Sequence, residues 1–284
     1  MPSMKSIKSR MKSVSSTKQI TKAMNLVSTS KLARSREKLR NERPYSDEIR
    51  GLLSYLAKDE KILDGRYFAK SPGKNILFIL VTSDRGLCGA YNSNVSRACR
   101  DMIRGEQQGA FICVGGKGRD FYARRGKRIY ETFVGITEAP AYEDAEEIAQ
   151  IAIGAFEDKE FDKVLLVYTR FENVVSYVPS VVQLLPLVAE NFDVKDEGGF
   201  DIGKEPASEA LMEYAVPNYV SSMVFNAICE SAASQQASRM ISMETATDNA
   251  EKMISNLNLQ YNRMRQNKIT QEIIEIVSGA NALN

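Results

Sequence analysis

The chain contains no histidine and no tryptophan among its 284 residues. Without histidine there is no Ser-His-Asp or Cys-His constellation, and the commonest metal ligand is missing as well. The four cysteines, Cys88, Cys99, Cys113 and Cys229, show no CxxC spacing. Their pattern speaks against a disulfide framework and predicts reduced thiols used mostly for packing. Long apolar runs are scarce too. Ile76–Val81 is the longest strongly apolar stretch near the middle, against the roughly 20 residues a membrane-spanning helix needs. Acids are absent from the first 36 residues. By composition alone that Ser/Lys-rich opening fits a mitochondrial transit peptide, but its apolar stripe runs on into a long helical pattern. No hydrophobic signal core follows it, so secretion is not expected.

What the chain does have is a strong charge asymmetry. Residues 1–43 hold twelve Lys/Arg against Glu37 and Glu42, a local charge of +10, whereas the remainder carries 26 bases against 34 acids, or −8. Such a basic segment suits an acidic partner, nucleic acid or an anionic surface. Aromatic residues interleaved with the bases, the mark of single-strand binding, do not occur before Tyr45. Within this segment Met4, Ile7, Met11, Val14, Ile20, Met24 and Val27 step by threes and fours, with a polar gap at Thr17–Lys18. Pro44 is expected to kink or break the helix, with a second piece over Tyr45–Leu56.

The far end of the chain repeats the pattern. Ile254, Leu257, Tyr261, Met264, Ile269, Ile273, Ile276, Ala280 and Leu283 form one stripe on a helix. From Pro217, read as its first turn, to Leu283 that helix would be roughly 100 Å long, far beyond the usual three or four turns. Two such ends pair most simply as an antiparallel two-helix coiled coil.

Between them strands and helices alternate. Strands are expected at Ile76–Val81, Ala110–Gly115, Ile129–Val134, Val164–Phe171 and Val174–Leu187, the last two joined by a tight turn at Glu172-Asn173. Helices are expected over Asn92–Arg104, Lys117–Arg124 and Ala141–Phe156. This order implies a central Rossmann-like α/β unit with a mostly parallel sheet, and Pro179 belongs at an edge. Glu190–Pro206 reads as a connection. The predicted domains are therefore 1–57, a coiled-coil helix; 70–200, the α/β part; and 207–284, the second coiled-coil helix. Two Gly-rich turns, Asp84–Gly89 and Gly115–Gly118, look like phosphate cradles but lack GxGxxG spacing and a GKS/T ending, so structural turns are favoured. No catalytic, cofactor or metal site emerges. A nucleic-acid-binding coiled coil and a nucleotide-dependent α/β enzyme stay open on these patterns alone.

Four motifs narrow the choice. They are Ile7-Lys8-Ser9-Arg10 with Thr21-Lys22-Ala23-Met24; Ser83-Asp84-Arg85-Gly86-Leu87-Cys88-Gly89; Ala237-Ser238-Arg239-Met240 with Ala246-Thr247-Asp248-Asn249-Ala250; and Ile-Thr-x-Glu-x-x-Glu-x-x-x-Gly-Ala from Ile269 to Ala280. In these the chain resembles the gamma subunit of F-type ATP synthases over essentially its whole length. The resemblance implies a non-catalytic rotor shaft, one copy per complex. Its expected partners are an alpha/beta hexamer, the epsilon subunit and the membrane ring of c subunits, with no nucleic acid and no cofactor. It also implies a peripheral place on the cytoplasmic face of a bacterial cell membrane, the alternative being a mitochondrial or plastid compartment. Carried over residue by residue, it assigns Arg265, Gln266, Thr270, Glu272, Arg239 and Met24 to beta-subunit contact and coupling, and Ile273, Ile276 and Leu283 to an apolar bearing end. Gln235-Gln236 depart from a Glu-His pair common in the family. No paired-cysteine insertion lies between Leu187 and Ala207, so the redox control of chloroplast relatives is not expected.

Overall fold

A computed structural model describes residues 3–58, 60–63, 65–68, 73–103, 108–188, 192 and 208–281. The expected connection over Glu190–Pro206 and the bearing residue Leu283 lie outside these, apart from Phe192. The chain divides into two compact units, Thr29–Ser238 and the pair of segments Met1–Ser28 and Arg239–Asn284. Two long helices, α1 (Met4–Leu56) and α6 (Ser208–Asn281), contribute to both units.

The larger unit is built on five strands, β1 (Asn75–Val81), β2 (Gln108–Val114), β3 (Arg128–Phe133), β4 (Lys163–Phe171) and β5 (Tyr177–Leu185), in the order β3-β2-β1-β4-β5. The first four are parallel and β5 is antiparallel to β4. Strand β1 is apolar and buried from Ile76 onward because both of its faces are covered. Leu77, Ile79 and Val81 face a core shared with α1, α5 (Tyr142–Glu157) and α6, while Ile76, Phe78 and Leu80 face α3 (Tyr91–Asp101) and α4 (Gly116–Ala123). On that second face Phe111 stacks on Tyr122 at 3.9 Å between ring centroids, and the Tyr122 hydroxyl donates to Ser96 O at 2.9 Å. A four-residue helix α2 (Glu60–Leu63) and a 3-10 turn at Ile136–Glu138 complete the described elements.

The open α/β sheet and its helices match the expectation, with three local differences. Pro217 does not open the last helix, which begins nine residues earlier at Ser208 and carries the proline inside it. The turns on both sides are held by burial of Met212, Ala215, Val216 and Val220, so packing outweighs the lost backbone bond. Pro44 likewise lies inside α1, where buried Ile49, Leu53 and Leu56 keep the helix going past it. The β4–β5 connection is longer than Glu172-Asn173. The Asn173 carboxamide accepts from the N–H groups of Val175 and Ser176, so Val174 and Val175 belong to the turn, and Val175 is 82% exposed. Pro179 is on the edge strand β5, opposite Thr169.

In the smaller unit α1 and α6 run antiparallel. The Thr21 and Thr247 hydroxyls are 2.7 Å apart, Asn25 Nδ2 donates to Met240 O at 2.9 Å, and Lys18 Nζ is 2.7 Å from Glu251. Inward positions on α1 include Met4, Ile7, Met11, Val14, Lys18, Thr21, Asn25 and Ser28, with Met24 half-buried beside Asn25; on α6 they include Met243, Thr247, Ala250, Ile254, Leu257, Tyr261 and Met264. Both sets keep the alternating three- and four-residue steps of a coiled-coil seam. One expectation fails in detail. Ile20 and Val27 are 60% and 56% exposed, and the seam continues through polar neighbours one residue further on.

Candidate coupling surface

The turns that resemble phosphate cradles are already filled by the protein. After β1 the chain bends at Thr82–Gly89, and the Asp84 carboxylate accepts from Gly116 N–H and Gly135 N–H, both at 3.0 Å, and from the Thr137 hydroxyl at 3.3 Å. Lys117 N–H donates to Ser83 O and Gly118 N–H to Thr82 Oγ1. The three leading amides of α4, which would otherwise hold an anion, thus have internal acceptors. Gly115, with φ of 105°, leaves room for this closure. A Cβ there would lie 2.2 Å from Thr82 O. Ser83 and Asn92 hold the other side, and Ser238 Oγ on α6 donates to Cys88 O at 2.6 Å. Cys88 is buried in this network, with its sulfur 3.2 Å from the Asn92 amide. Burial pushes the Cys99 and Cys113 thiols up to about 12, so both stay protonated and inert.

The residues assigned to coupling fall into two stations of the smaller unit. Met24 and Arg239 form the first. The bond from Asn25 to Met240 O puts their two neighbours on facing helices at one level. Met24 is half-buried, and Arg239 is only 7% exposed. Arg265, Gln266, Thr270 and Glu272 form the second station, beginning 26 residues further along α6, or about 39 Å at helical rise.

The second station is exposed for a simple reason. Continuing the pairing of Thr21 with Thr247 one residue at a time puts Met4 level with Met264. Beyond Met264 no described residue of α1 is left to cover α6, and every residue from Arg265 to Ser278 is exposed. Helical spacing aligns Arg265, Ile269, Glu272 and Ile276 along one stripe and Gln266, Thr270, Ile273 and Val277 along the next. Polar and apolar members alternate along the first stripe, which ends at Ile276, 72% exposed, whereas in the second the polar members lie nearer the paired coil and the apolar ones nearer the tip. Thr270 Oγ1 donates back to Gln266 O at 3.0 Å. Glu272 meets Lys268 at 3.5 Å, an exposed pair weak enough to exchange for another partner. The Arg265 guanidinium, Gln266 amide and Glu272 carboxylate can therefore engage a protein surface directly.

Several residues that position these elements escaped sequence reasoning. Strand β4 outruns β1, whose last partner on it is Val167, so the backbone of Thr169 and Phe171 would be bare on that side. Helix α6 supplies the missing partners: Ser231 Oγ accepts from Thr169 N–H, Ser234 Oγ donates to Thr169 O, and Glu230 accepts from Phe171 N–H. The signal was present as a run of small and polar residues, Ser231–Ser238, all of them buried on α6. Among the described residues no helix is long and apolar enough to cross a membrane.

The chain is similar to known proteins over nearly its whole length. The family model described as ATP synthase matches residues 3–283. The ATP synthase gamma chain of Heliobacterium modesticaldum is 40% identical over the full length of both chains. A chain of the central stalk and c-ring structure of Tetrahymena thermophila mitochondrial ATP synthase is 29% identical, with a TM-score of 0.63 over 80% of this chain and 99% of that one. A chain of the Euglena gracilis mitochondrial ATP synthase, in the structure containing F1 and the c-ring, shares the fold with a TM-score of 0.70 at 21% identity, over 99% of this chain and 94% of that one.

Proposed function

We infer the working surface of this chain from one premise: it belongs to the ATP synthase gamma family. It is the central-stalk subunit of a membrane-associated ATP synthase, structural rather than catalytic. Its partners are the alpha and beta subunits, the epsilon subunit and the ring of c subunits. The chain acts as the rotor shaft, with ion flow through the ring turning it and the beta subunits carrying the chemistry. Its place is peripheral, on the cytoplasmic face of a bacterial cell membrane, with one copy per complex. Residues 70–200 make the α/β part, and 1–57 with 207–284 make the coil.

The physical requirement on a shaft is differential contact. At each angle it must favour one conformation of each catalytic subunit over the others, or turning it does no work on them. The unpaired end of α6 meets that requirement, because a single helix presents unlike stripes in different directions. Arg265, Gln266, Thr270 and Glu272 take directional bonds to a beta subunit. Met24 and Arg239 serve at the first station, where an uncharged Met24 avoids an ion pair that would hold the shaft at one angle. Ile273, Ile276 and Leu283 turn in an apolar collar, whose lack of directional bonds keeps resistance to turning low.

The observation that carries this reading is the run of α6 from Arg265 to Ser278, exposed at every residue and partly apolar. The test is an Ile273→Lys/Ile276→Lys variant assembled with alpha and beta subunits and the membrane sector. Thermal unfolding of the free chain is expected to stay within about 2 °C of the parent, since neither side chain is packed. Ion pumping per ATP hydrolysed is expected to fall several-fold. Unchanged coupled turnover overturns the bearing role.

A further inference from the structure

Within the larger unit, α1 is thinly packed before it reaches Ile49. None of its described residues from Ala33 to Glu48 is buried, and Leu39 reaches the core only in part. Clefts lie against this stretch. One, of about 710 Å³, is lined by Arg36, Arg40 and Asp47 together with Tyr168 and Glu230. Another, of about 270 Å³, is lined by Arg34 and Lys38 together with Thr137, Pro140 and Gln236. Pro44 also takes one backbone donor out of the helix here. A stretch with so little apolar burial has to be held in place by other contacts.

The connection between β3 and α5 supplies them. Lys31, Lys38 and Tyr45 follow one another at heptad spacing, which places them on one stripe of α1. Their partners alternate along the connection. Lys31 pairs with Glu138, Lys38 Nζ donates to Pro140 O at 2.7 Å, and the Tyr45 ring meets Tyr142 edge-on at 6.2 Å. The Tyr142 ring also meets Phe225 of α6 at 5.6 Å. The base of the connection is fixed: Asp84 accepts from Gly135 N–H and the Thr137 hydroxyl, and Ile136 and Thr137 are buried. A firmly seated segment thus reaches α1 at three points one heptad apart, twice through a lysine.

We propose that Lys31, Lys38 and Glu138 are positioning residues that make the β3–α5 connection a brace, holding the thinly packed stretch of α1 to the α/β part and stiffening that helix against twist. Helix α6 is tied differently, since Glu230, Ser231 and Ser234 bond it directly to the backbone of β4. Without the brace α1 yields to a turning force that α6 resists, and the two helices do not share it. The stiffness arm of the test below rests on the rotor reading, whereas the distance arm does not depend on it.

The experiment places spin labels at Arg36→Cys and Glu147→Cys, both exposed, on the full-length chain, whose native cysteines are all buried. The parent is expected to give one narrow distance. Glu138→Lys sets three cations against one another and is expected to widen the distribution about twofold. Its thermal midpoint should stay within about 2 °C of the parent, since a part-exposed pair contributes little to stability. Lys31→Glu/Glu138→Lys restores an opposite pair and is expected to return the parental width. Lys31→Gln/Lys38→Gln, which leaves the connection itself unaltered, should widen the distance as Glu138→Lys does. A parental width in Glu138→Lys or in the double glutamine variant overturns the proposal. A widened distance that the exchanged pair fails to narrow overturns it too, because a connection merely misfolded by the substitution gains nothing from a change on α1. In a complex with immobilised alpha and beta subunits and a bead on Glu147→Cys, the angular variance of the stalled shaft should rise about twofold in Glu138→Lys and fall back in the exchanged pair. A variance equal to the parent's overturns the stiffening role. A parental bead that never turns overturns the rotor reading and the stiffening role together, while the brace stands on the distances alone.

Discussion

At the scale of single residues, burial changes what a side chain can do. Cys99 and Cys113 lie in the core between the sheet and α3–α4, and desolvation pushes their thiols from 9.0 up to about 12. Below pH 9 the folded and unfolded chains both hold these protons, so the stabilising effect is fully present. Between pH 9 and 12 the unfolded chain releases them and the folded chain does not, so stability is lost as pH rises. Tyr67 and Tyr168, each raised from 10.0 to about 12 chiefly by burial, act in the same direction from pH 10 upward. The urea midpoint is therefore expected to drop between pH 9 and 10.5. A Cys99→Ala/Cys113→Ala variant, less stable at pH 8 because of its cavities, should show a shallower drop over that interval. An equal slope in the two proteins would show that the thiols do not titrate differently on folding. Single residues were also where the sequence was hardest to read. Ile20 and Val27 carry the apolar signal, but the seam runs one residue further on, where Thr21 and Asn25 contact α6 across the coil, and hydrophobicity does not register polar seam positions. Asp84 is a second case. Its place in a Gly-rich turn was visible, but its job of accepting from two distant backbone amides and Thr137 depends on loops brought together only by the sheet.

At the scale of elements, the periodic signals held well. Strand β1, helix α5 and the edge placement of Pro179 follow directly from their patterns, since each is dictated by burial on known faces. What the patterns missed were boundaries decided by packing, as at Pro217, and partners supplied across elements. The end of β4 is the clearest example. Thr169 lies opposite Pro179 on one side, and beyond the end of β1 its N–H and C=O depend on Ser231 and Ser234 of α6. The two serines should not be equivalent. Ser231→Ala leaves a buried N–H without its acceptor, at a cost of about 1–3 kcal/mol, while Ser234→Ala removes one donor from a carbonyl, a deficit proteins tolerate more readily. Chemical denaturation should therefore rank Ser231→Ala below Ser234→Ala in stability, with the double variant lower still. The reverse order would mean that the Thr169 amide finds another acceptor when Ser231 is absent.

At the scale of the whole molecule, the division of labour follows from where apolar surface is buried and where it is left out. The α/β part closes its own amides and buries its core on both faces of the sheet, so its glycine-rich turns bind the fold rather than a ligand. The basic segment spends some of its charge internally: Lys18 meets Glu251, Lys31 meets Glu138, and Lys38 donates to Pro140 O at 2.7 Å. Toward the end of α6 the last buried side chain among the described residues is Leu257, and all side chains from Arg265 to Ser278 are exposed. Folding and function can thus be separated by truncation. A chain ending at Met264 loses no buried side chain among the described residues, so its thermal midpoint is expected within about 2 °C of the full chain. In complex with alpha and beta subunits and the membrane sector the same truncation removes Arg265, Gln266, Thr270 and Glu272 together with the apolar tip. ATP hydrolysis should then proceed with little ion transport attached to it. A large fall in the midpoint would instead show that the end of α6 packs against its own chain, and the exposed helix could no longer be read as a surface kept for other subunits.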